Sequence, residues 1–285
     1  MSKRHHTDYD GVTTARCERA LVTLLGDIGP WSERVYLVGG LAPRYIVGSL
    51  PEGARPHIGT TDVDLVIGLA LGDESPEAYR TLENNLKKAG FEDETSFRWN
   101  RNVDGVTVTV EFLCETDQVG PGRIYKPKEE GTGSGLGAFN VRGAQLVTRD
   151  YVERTIEAER FDGGVSRVVV RVANILSYTV LKVLAFQDRH ANKDSYDLIY
   201  CLMNFGEGPT DAGCVAAESA IRGDAQVEEA LHLLAERFDS AEHDGPHAYG
   251  AFLADEGGDD DALARLRQEA VAVVREFIQA MRSRS

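Results

Sequence analysis

The sequence predicts an α+β fold, with strands and helices in the N-terminal half and a mainly helical C-terminal half. Three observations predict it. Before about residue 150, short apolar runs alternate with Gly- and Pro-rich punctuation, as strands joined by turns do. After it, apolar residues recur at helical spacing almost to the end of the chain. Across 285 residues with 42% hydrophobic content there is enough material for two modest domains. The division falls at residues 1–145 and 146–285.

Residues 13–26 place Cys17, Ala20, Leu21, Leu24 and Leu25 on one helical face, and Gly26, Gly29 and Pro30 stop that helix. Arg34–Val38 reads as a short buried strand ending in Gly39-Gly40, and Leu41–Val47 as the start of a helix. Residues 48–59, with two prolines and three glycines, form a loop. Thr61–Gly68 (TDVDLVIG) is the second strand. Residues 75–89 are helical, with Tyr79, Leu82, Leu86 and Ala89 in phase. Thr95–Asn100 and Val106–Cys114 are strands around a turn at Asp104-Gly105. The Gly-, Pro- and Lys-rich residues 119–137 read as a mobile loop, and Val165–Ala173 as one more strand. Helices follow at 175–190, 194–204, 211–222, 224–239, 246–254 and 260–282. The last carries Leu263, Leu266, Ala270, Val273, Phe277 and Met281 on one stripe. Residues 255–261 read as an acidic, solvated link.

Composition narrows the partners. The formal net charge of −15 repels polyanions on average, so a nucleic-acid acceptor would need a local basic patch. The four cysteines, Cys17, Cys114, Cys201 and Cys214, have no CxxC spacing and read as reduced core thiols rather than a zinc site. The N-terminal MSKRHHTDYDG has no apolar stretch after its charges. No apolar run approaches the roughly 20 residues that span a bilayer. A cytoplasmic protein without membrane contact is the expectation.

The chemistry starts at Asp62-Val63-Asp64. In a strand, Asp62 and Asp64 point to one face while Val63 and Leu65 point into the core. Two neighbouring carboxylates repel each other, and a divalent cation between them relieves that repulsion. Oxygen donors at this density suit Mg²⁺ or Mn²⁺. In Val106–Leu113, the apolar Val106, Val108, Val110 and Phe112 share one face, and Thr107, Thr109 and Glu111 the other. If that strand lies beside residues 62–67, Glu111 reaches the same ion. Gly39-Gly40, after a buried strand and opening a helix, permits a tight turn and close approach of backbone N–H groups to a phosphate.

This order (LVGGLAPRYIVG, then GTTDVDLVIG, then VTVEFL) resembles the DNA polymerase β-like nucleotidyltransferase superfamily. The resemblance implies a small mixed sheet backed by helices, and two-metal transfer of a nucleoside monophosphate from an NTP to an acceptor with loss of pyrophosphate. Leu181–Arg189 (LKVLAFQDR) and Lys193–Tyr200 (KDSYDLIY) further resemble motifs of the AbiEii toxin family, which includes MenT-like toxins. From that resemblance, Asp62, Asp64 and Glu111 are the metal ligands. Gly39, Gly40, Thr60, Thr61 and Lys182 line the nucleotide. Lys182 neutralises phosphate charge, and Asp197 orients Lys182 or contacts the nucleotide. The helical half would complete the active site. Relatives often carry a basic residue four positions before the first Asp. This chain has Ile58 there, with Arg55 or His57 as substitutes.

Three functions follow from this reading. The first is a toxin-like enzyme acting on tRNA or a protein hydroxyl, with a cognate antitoxin as its partner. The second is an enzyme modifying a cationic small molecule such as an aminoglycoside, which suits the acidic surface. The third is a non-catalytic module that binds a nucleotide or partner. Plainer roles are expected for several residues. Asp194 reads as a helix N-cap, and Tyr196 and Tyr200 as packing. The Gly-rich residues 131–137 lack the Lys-Ser/Thr ending of a P-loop and read as a linker.

Overall fold

The computed structural model describes residues 5–26, 29–50, 53–68, 76–127, 135–254 and 259–284. The chain is α+β and divides into two compact units. One comprises Tyr9–Ala42 and Gly59–Ala173, the other Met1–Asp8, Pro43–Ile58 and Asn174–Ser285. The expected boundary at 145/146 moves to 173/174, because residues 151–173 form a hairpin that extends the sheet.

In the first unit, α1 (Gly11–Gly26) is capped by Asp10, whose carboxylate accepts from the Thr13 N–H at 2.7 Å and from the Thr13 hydroxyl at 2.8 Å. The buried stripe expected on α1, including Cys17, Leu21 and Leu24, packs against the sheet. Among the described residues the sheet has nine strands: β1 (Val35–Val38), β2 (Asp62–Ile67), β3 (Glu92–Asp93), β4 (Arg98–Val103), β5 (Val106–Cys114), β6 (Ile124–Tyr125), β7 (Ala138–Asn140), β8 (Tyr151–Glu159) and β9 (Val165–Ala173). The order is β3-β4-β5-β2-β1-β9-β8, with β7 pairing β5 and β6 pairing β7. It is a mixed sheet: β2–β5, β1–β9 and β5–β7 are parallel and the other pairs antiparallel. β4 and β5 turn at Asp104 and Gly105, both with positive φ (51° and 81°), which suits the right-handed twist of a two-residue hairpin. The helix expected at 75–89 is α3 (Pro76–Lys88), with Tyr79, Leu82 and Leu86 buried; Ser75 lies outside the described residues.

Three expectations need correction in this unit. β8 (YVERTIEAE) was not expected. It is an edge strand with four charged residues and only Ile156 buried, so it shows no apolar run. In the expected mobile loop 119–137, Ile124–Tyr125 pairs as β6, while 128–134 lies outside the described residues, so most of the expected linker at 131–137 does too. Gly39-Gly40 opens a three-residue 3₁₀ turn (Gly39–Leu41), not a helix. The helix expected from Leu41 is only α2 (Pro43–Ile46), which belongs to the other unit.

The second unit is helical: α4 (Ile175–Arg189), α5 (Asn192–Asn204), α6 (Pro209–Ala217), α7 (Ala225–Arg237), α8 (Asp244–Leu253) and α9 (Asp260–Ser283) follow α2. Asn174 caps α4, its side chain accepting from Ile175 N–H at 2.8 Å. α5 sits at the centre, packing on α4, α6, α8 and α9. Of the stripe expected on the last helix, Ala270, Val273, Phe277 and Met281 are buried, the first turns being less covered. Of the acidic link at 255–261, residues 255–258 lie outside the described residues. Asp259 caps α9, accepting from Asp261 N–H at 3.1 Å. No helix among the described residues is long and apolar enough to cross a membrane.

Candidate active site

The acidic residues of the first unit meet by strand register. Asp64 lies opposite Glu111 in the parallel β2–β5 ladder, and Asp62 opposite Thr109. Paired residues of adjacent strands share a face about 4.8 Å apart, and Asp62 and Asp64 share that face two residues apart. Val63 and Leu65 point the other way and are buried, as are Val108, Val110 and Phe112. All three acids keep partial exposure.

Each carboxylate has its own neighbour. The Thr60 hydroxyl donates to Asp62 Oδ1 at 2.5 Å. Asp64 lies against Gly39, where a Cβ would sit 1.7 Å from Asp64 Oδ2. Gly39 also has φ +65°, so the position excludes other residues both by conformation and by space. Glu111 is held by Arg98, which faces it across the β4–β5 ladder. Nη2 and Nε of Arg98 lie 2.5 and 2.6 Å from Glu111 Oε1. Asp64, Glu111 and Arg98 thus form one row across three strands.

The loop before β2 is fastened to α1. Thr60 N–H donates to Thr14 Oγ1 at 3.1 Å, and a Cβ on Gly59 (φ +105°) would come within 2.1 Å of that oxygen. Thr60 is therefore buried and positions Asp62, while Thr61 is half-buried beside it. Beneath them, burial and then the charges of Asp62 and Asp64 push the Cys17 thiol up, so it stays protonated.

Whether a divalent cation fits is decided by these contacts. The oxygen donors and their shared face suit Mg²⁺ or Mn²⁺. Among the described residues, however, no three His, Cys, Asp or Glu side chains are gathered closely enough to hold a metal ion. The register brings the backbones together, while the Thr60 hydroxyl bonds Asp62 and the Arg98 guanidinium pairs with Glu111.

The second unit holds a buried ion-pair cluster. Lys182 Nζ of α4 lies 2.7 Å from Asp197 Oδ2 and 3.2 Å from Asp194 Oδ1, both on α5. Lys193 Nζ lies 2.6 Å from Asp197 Oδ1. Arg189 grips both oxygens of Asp194 at 2.6 and 2.7 Å. His57 Nε2 lies 2.9 Å from Asp197 Oδ1, its ring between Tyr196 and Tyr200, and the Tyr196 hydroxyl accepts from Ile58 N–H at 3.0 Å. Lys182, Asp194 and Asp197 are 6%, 1% and 0% exposed. Burial alone would raise Asp197, but Lys182, then Lys193 and His57, hold its carboxyl far below the usual range. Burial would lower Lys182; Asp197 and Asp194 outweigh it and raise it.

No family model and no curated protein matches the chain. A solved structure of the antibiotic-resistance factor ANT(2'')-Ia is similar to it at 15% sequence identity and a TM-score of 0.33, over 78% of this chain and 95% of that one. Neither value supports carrying an activity from one chain to the other.

The structure therefore brings Asp62, Asp64, Glu111, Gly39 and Thr60 together in the sheet unit, with Gly40 buried beside Gly39, and Lys182 with Asp197 in the helical unit. Asp194 is not an N-cap. Ala191 occupies that position, and Asp194 at the third helical position is an ion-pair partner. Tyr196 and Tyr200 are packing residues, as expected. Of the proposed substitutes for a basic residue at 58, Arg55 is exposed and His57 is committed to Asp197. Sequence reading missed Arg98 as the partner of Glu111. An Arg on the strand joined by a two-residue turn to the Glu strand was the available signal, since hairpin register fixes cross-strand partners.

Two predictions arise from this geometry. Gly39→Ala forces a left-handed backbone and displaces the Asp64 carboxylate, costing about 1–3 kcal/mol; chemical denaturation should show the loss, and a variant as stable as wild type would contradict the packing. His57 gives a pH dependence. Burial lowers its pKa to about 4, and the hydrogen bond to Asp197 only partly compensates because two lysines already neutralise that carboxylate. The folded imidazole stays neutral while the unfolded one protonates below its ordinary 6.5. Its contribution is therefore whole above pH 6.5 and is lost as pH falls towards 4, by up to ~3 kcal/mol. Melting curves should show a smaller decline over that window for His57→Asn than for wild type; equal declines would place the linkage elsewhere.

Proposed function

We propose that this chain is a metal-dependent nucleotidyltransferase, moving a nucleoside monophosphate from an NTP onto an acceptor hydroxyl. The observation that carries the reading is the β2–β5 register that sets Asp64 beside Glu111 with Asp62 on the same face. Asp62 and Asp64 would hold the divalent cation, Mg²⁺ or Mn²⁺, with Glu111 completing the set. When bound, it supplies charge neutralisation at the triphosphate and makes the acceptor hydroxyl easier to deprotonate. The acceptor oxygen attacks the α-phosphorus and its proton passes to the Glu111 carboxylate. The bond from α-phosphorus to the bridging oxygen breaks, and pyrophosphate leaves with that electron pair.

The chain's own residues position the reactants. Thr60 fixes Asp62 through its hydroxyl, and Gly39 leaves room for the Asp64 carboxylate. Gly40 and Thr61 are assigned to the nucleotide side. Lys182 is assigned to phosphate charge neutralisation, with Asp197 orienting it, by the motif resemblance alone. An AbiEii-like toxin acting on tRNA or protein follows the motif resemblance, with an antitoxin as partner. The net charge of −15 favours a cationic small acceptor instead.

Incubation of the full chain with each α-labelled NTP, Mg²⁺ and either total tRNA, aminoglycosides or the protein itself separates these acceptors. Label is expected in one fraction, with pyrophosphate released. A second reading, a nucleotide-binding module without transfer, is favoured by the ion pair that occupies Glu111. Nucleotide binding with no label transferred in any arm would select it.

A further inference from the structure

Resting on the proposed function, we propose that Arg98 is a built-in counter-ion that holds Glu111 out of the metal site until a divalent cation displaces it. Asp64, Glu111 and Arg98 occupy consecutive strands at one register, so three charged side chains share a single row. Two guanidinium nitrogens converge on one Glu111 oxygen, at 2.5 and 2.6 Å. The pairing places a positive charge on the acidic face. Glu111 is 16% exposed at its side chain and Arg98 36%, so the guanidinium has solvent to move into while Glu111 remains beside Asp64. While paired to Glu111, the Arg98 guanidinium also lies 5.7 Å from the centre of the ring of Phe97, the residue before β4.

The exchange has direct consequences. Cation binding must break a charge-assisted hydrogen-bonded pair, so Arg98 weakens metal affinity in the wild type. Glu111 becomes a ligand only when an ion is present. Arg98 is a positioning residue, acting on the ion through Glu111.

The test is Mn²⁺ binding by the full chain without nucleotide, read by calorimetry and by the loss of free-ion electron paramagnetic resonance signal. Arg98→Gln should bind Mn²⁺ on the order of tenfold more tightly than wild type. Arg98→Lys, which keeps a charge without the two-pronged contact, should fall between them. Asp64→Asn is the control and should remove most binding. If Asp64→Asn removes binding but both Arg98 variants match wild type or bind more weakly, the counter-ion role is overturned and the metal site stands. If Asp64→Asn binds Mn²⁺ as wild type does, the acidic face is not the metal site and both readings fall.

Discussion

Replacing Asp64 by asparagine should reduce nucleotidyl transfer by on the order of 10³-fold or more, while leaving the fold intact. Asp64 is the residue through which the site is assembled. It lies opposite Val38 on one side and Glu111 on the other, and its carboxylate covers Gly39. Asparagine has nearly the same shape, so the close approach at Gly39 survives and the sheet register is unaffected. The negative charge is lost, and with it, on the proposed function, an anionic ligand for the divalent cation. Several kcal/mol of transition-state stabilisation rest on that charge, and each 1.4 kcal/mol is a factor of ten. Single-turnover assays with the labelled NTP would measure the loss. Unaltered circular dichroism and melting temperature would show that it is chemical. Asp62→Asn should behave similarly but also release the Thr60 hydroxyl, so a small loss of stability is expected with it. Transfer at the wild-type rate by Asp64→Asn would remove the catalytic reading of the acidic face.

Lys182→Met should destabilise the helical unit by about 3–5 kcal/mol, a fall in melting temperature on the order of 10–20 °C. The reason is the company the lysine leaves behind. Asp194 and Asp197 are fully buried, and removal of Lys182 leaves Asp197 with Lys193 and His57 and Asp194 with Arg189. Methionine fills much of the space but offers no charge. The penalty is therefore the loss of two charge-assisted contacts on buried carboxylates that each keep one other cation, not that of a cavity. In a double-mutant cycle with Asp197→Leu, the pair should cost less than the sum of the single changes by about 1–3 kcal/mol. Additive losses would mean that the 2.7 Å contact contributes nothing beyond packing.

Much of this architecture could be read from the residues. Strand alternation at 106–113 placed Glu111 on the polar face and Val108, Val110 and Phe112 in the core, and the burial pattern agrees. The helices from residue 175 onward lie close to their expected spans, α6 ending at Ala217 rather than 222; α9 carries an apolar stripe, whereas α4 and α5 are buried almost all round. What could not be read depends on long-range pairing or on side-chain choice. β8 escaped because an edge strand with one wet face and four charges has no apolar signature. The division at 173/174 escaped because it depends on β9 pairing with β1, a contact between residues more than 130 positions apart. Asp194 matched a capping pattern, yet the helix begins two residues before it, at Asn192, so its carboxylate serves ion pairs in the interior. Arg98 escaped because the register that brings it to Glu111 is a property of the hairpin, not of either strand alone.

Diffraction from crystals grown with Mn²⁺ and a non-hydrolysable NTP, with anomalous scattering used to locate the ions, tests the central claim most directly. The account predicts an anomalous peak within roughly 2 Å of carboxylate oxygens from both Asp62 and Asp64, with Glu111 turned from Arg98 towards it and the triphosphate on the same face. Ions found elsewhere, or a nucleotide bound with Glu111 still paired to Arg98 and no peak at the aspartates, would contradict it.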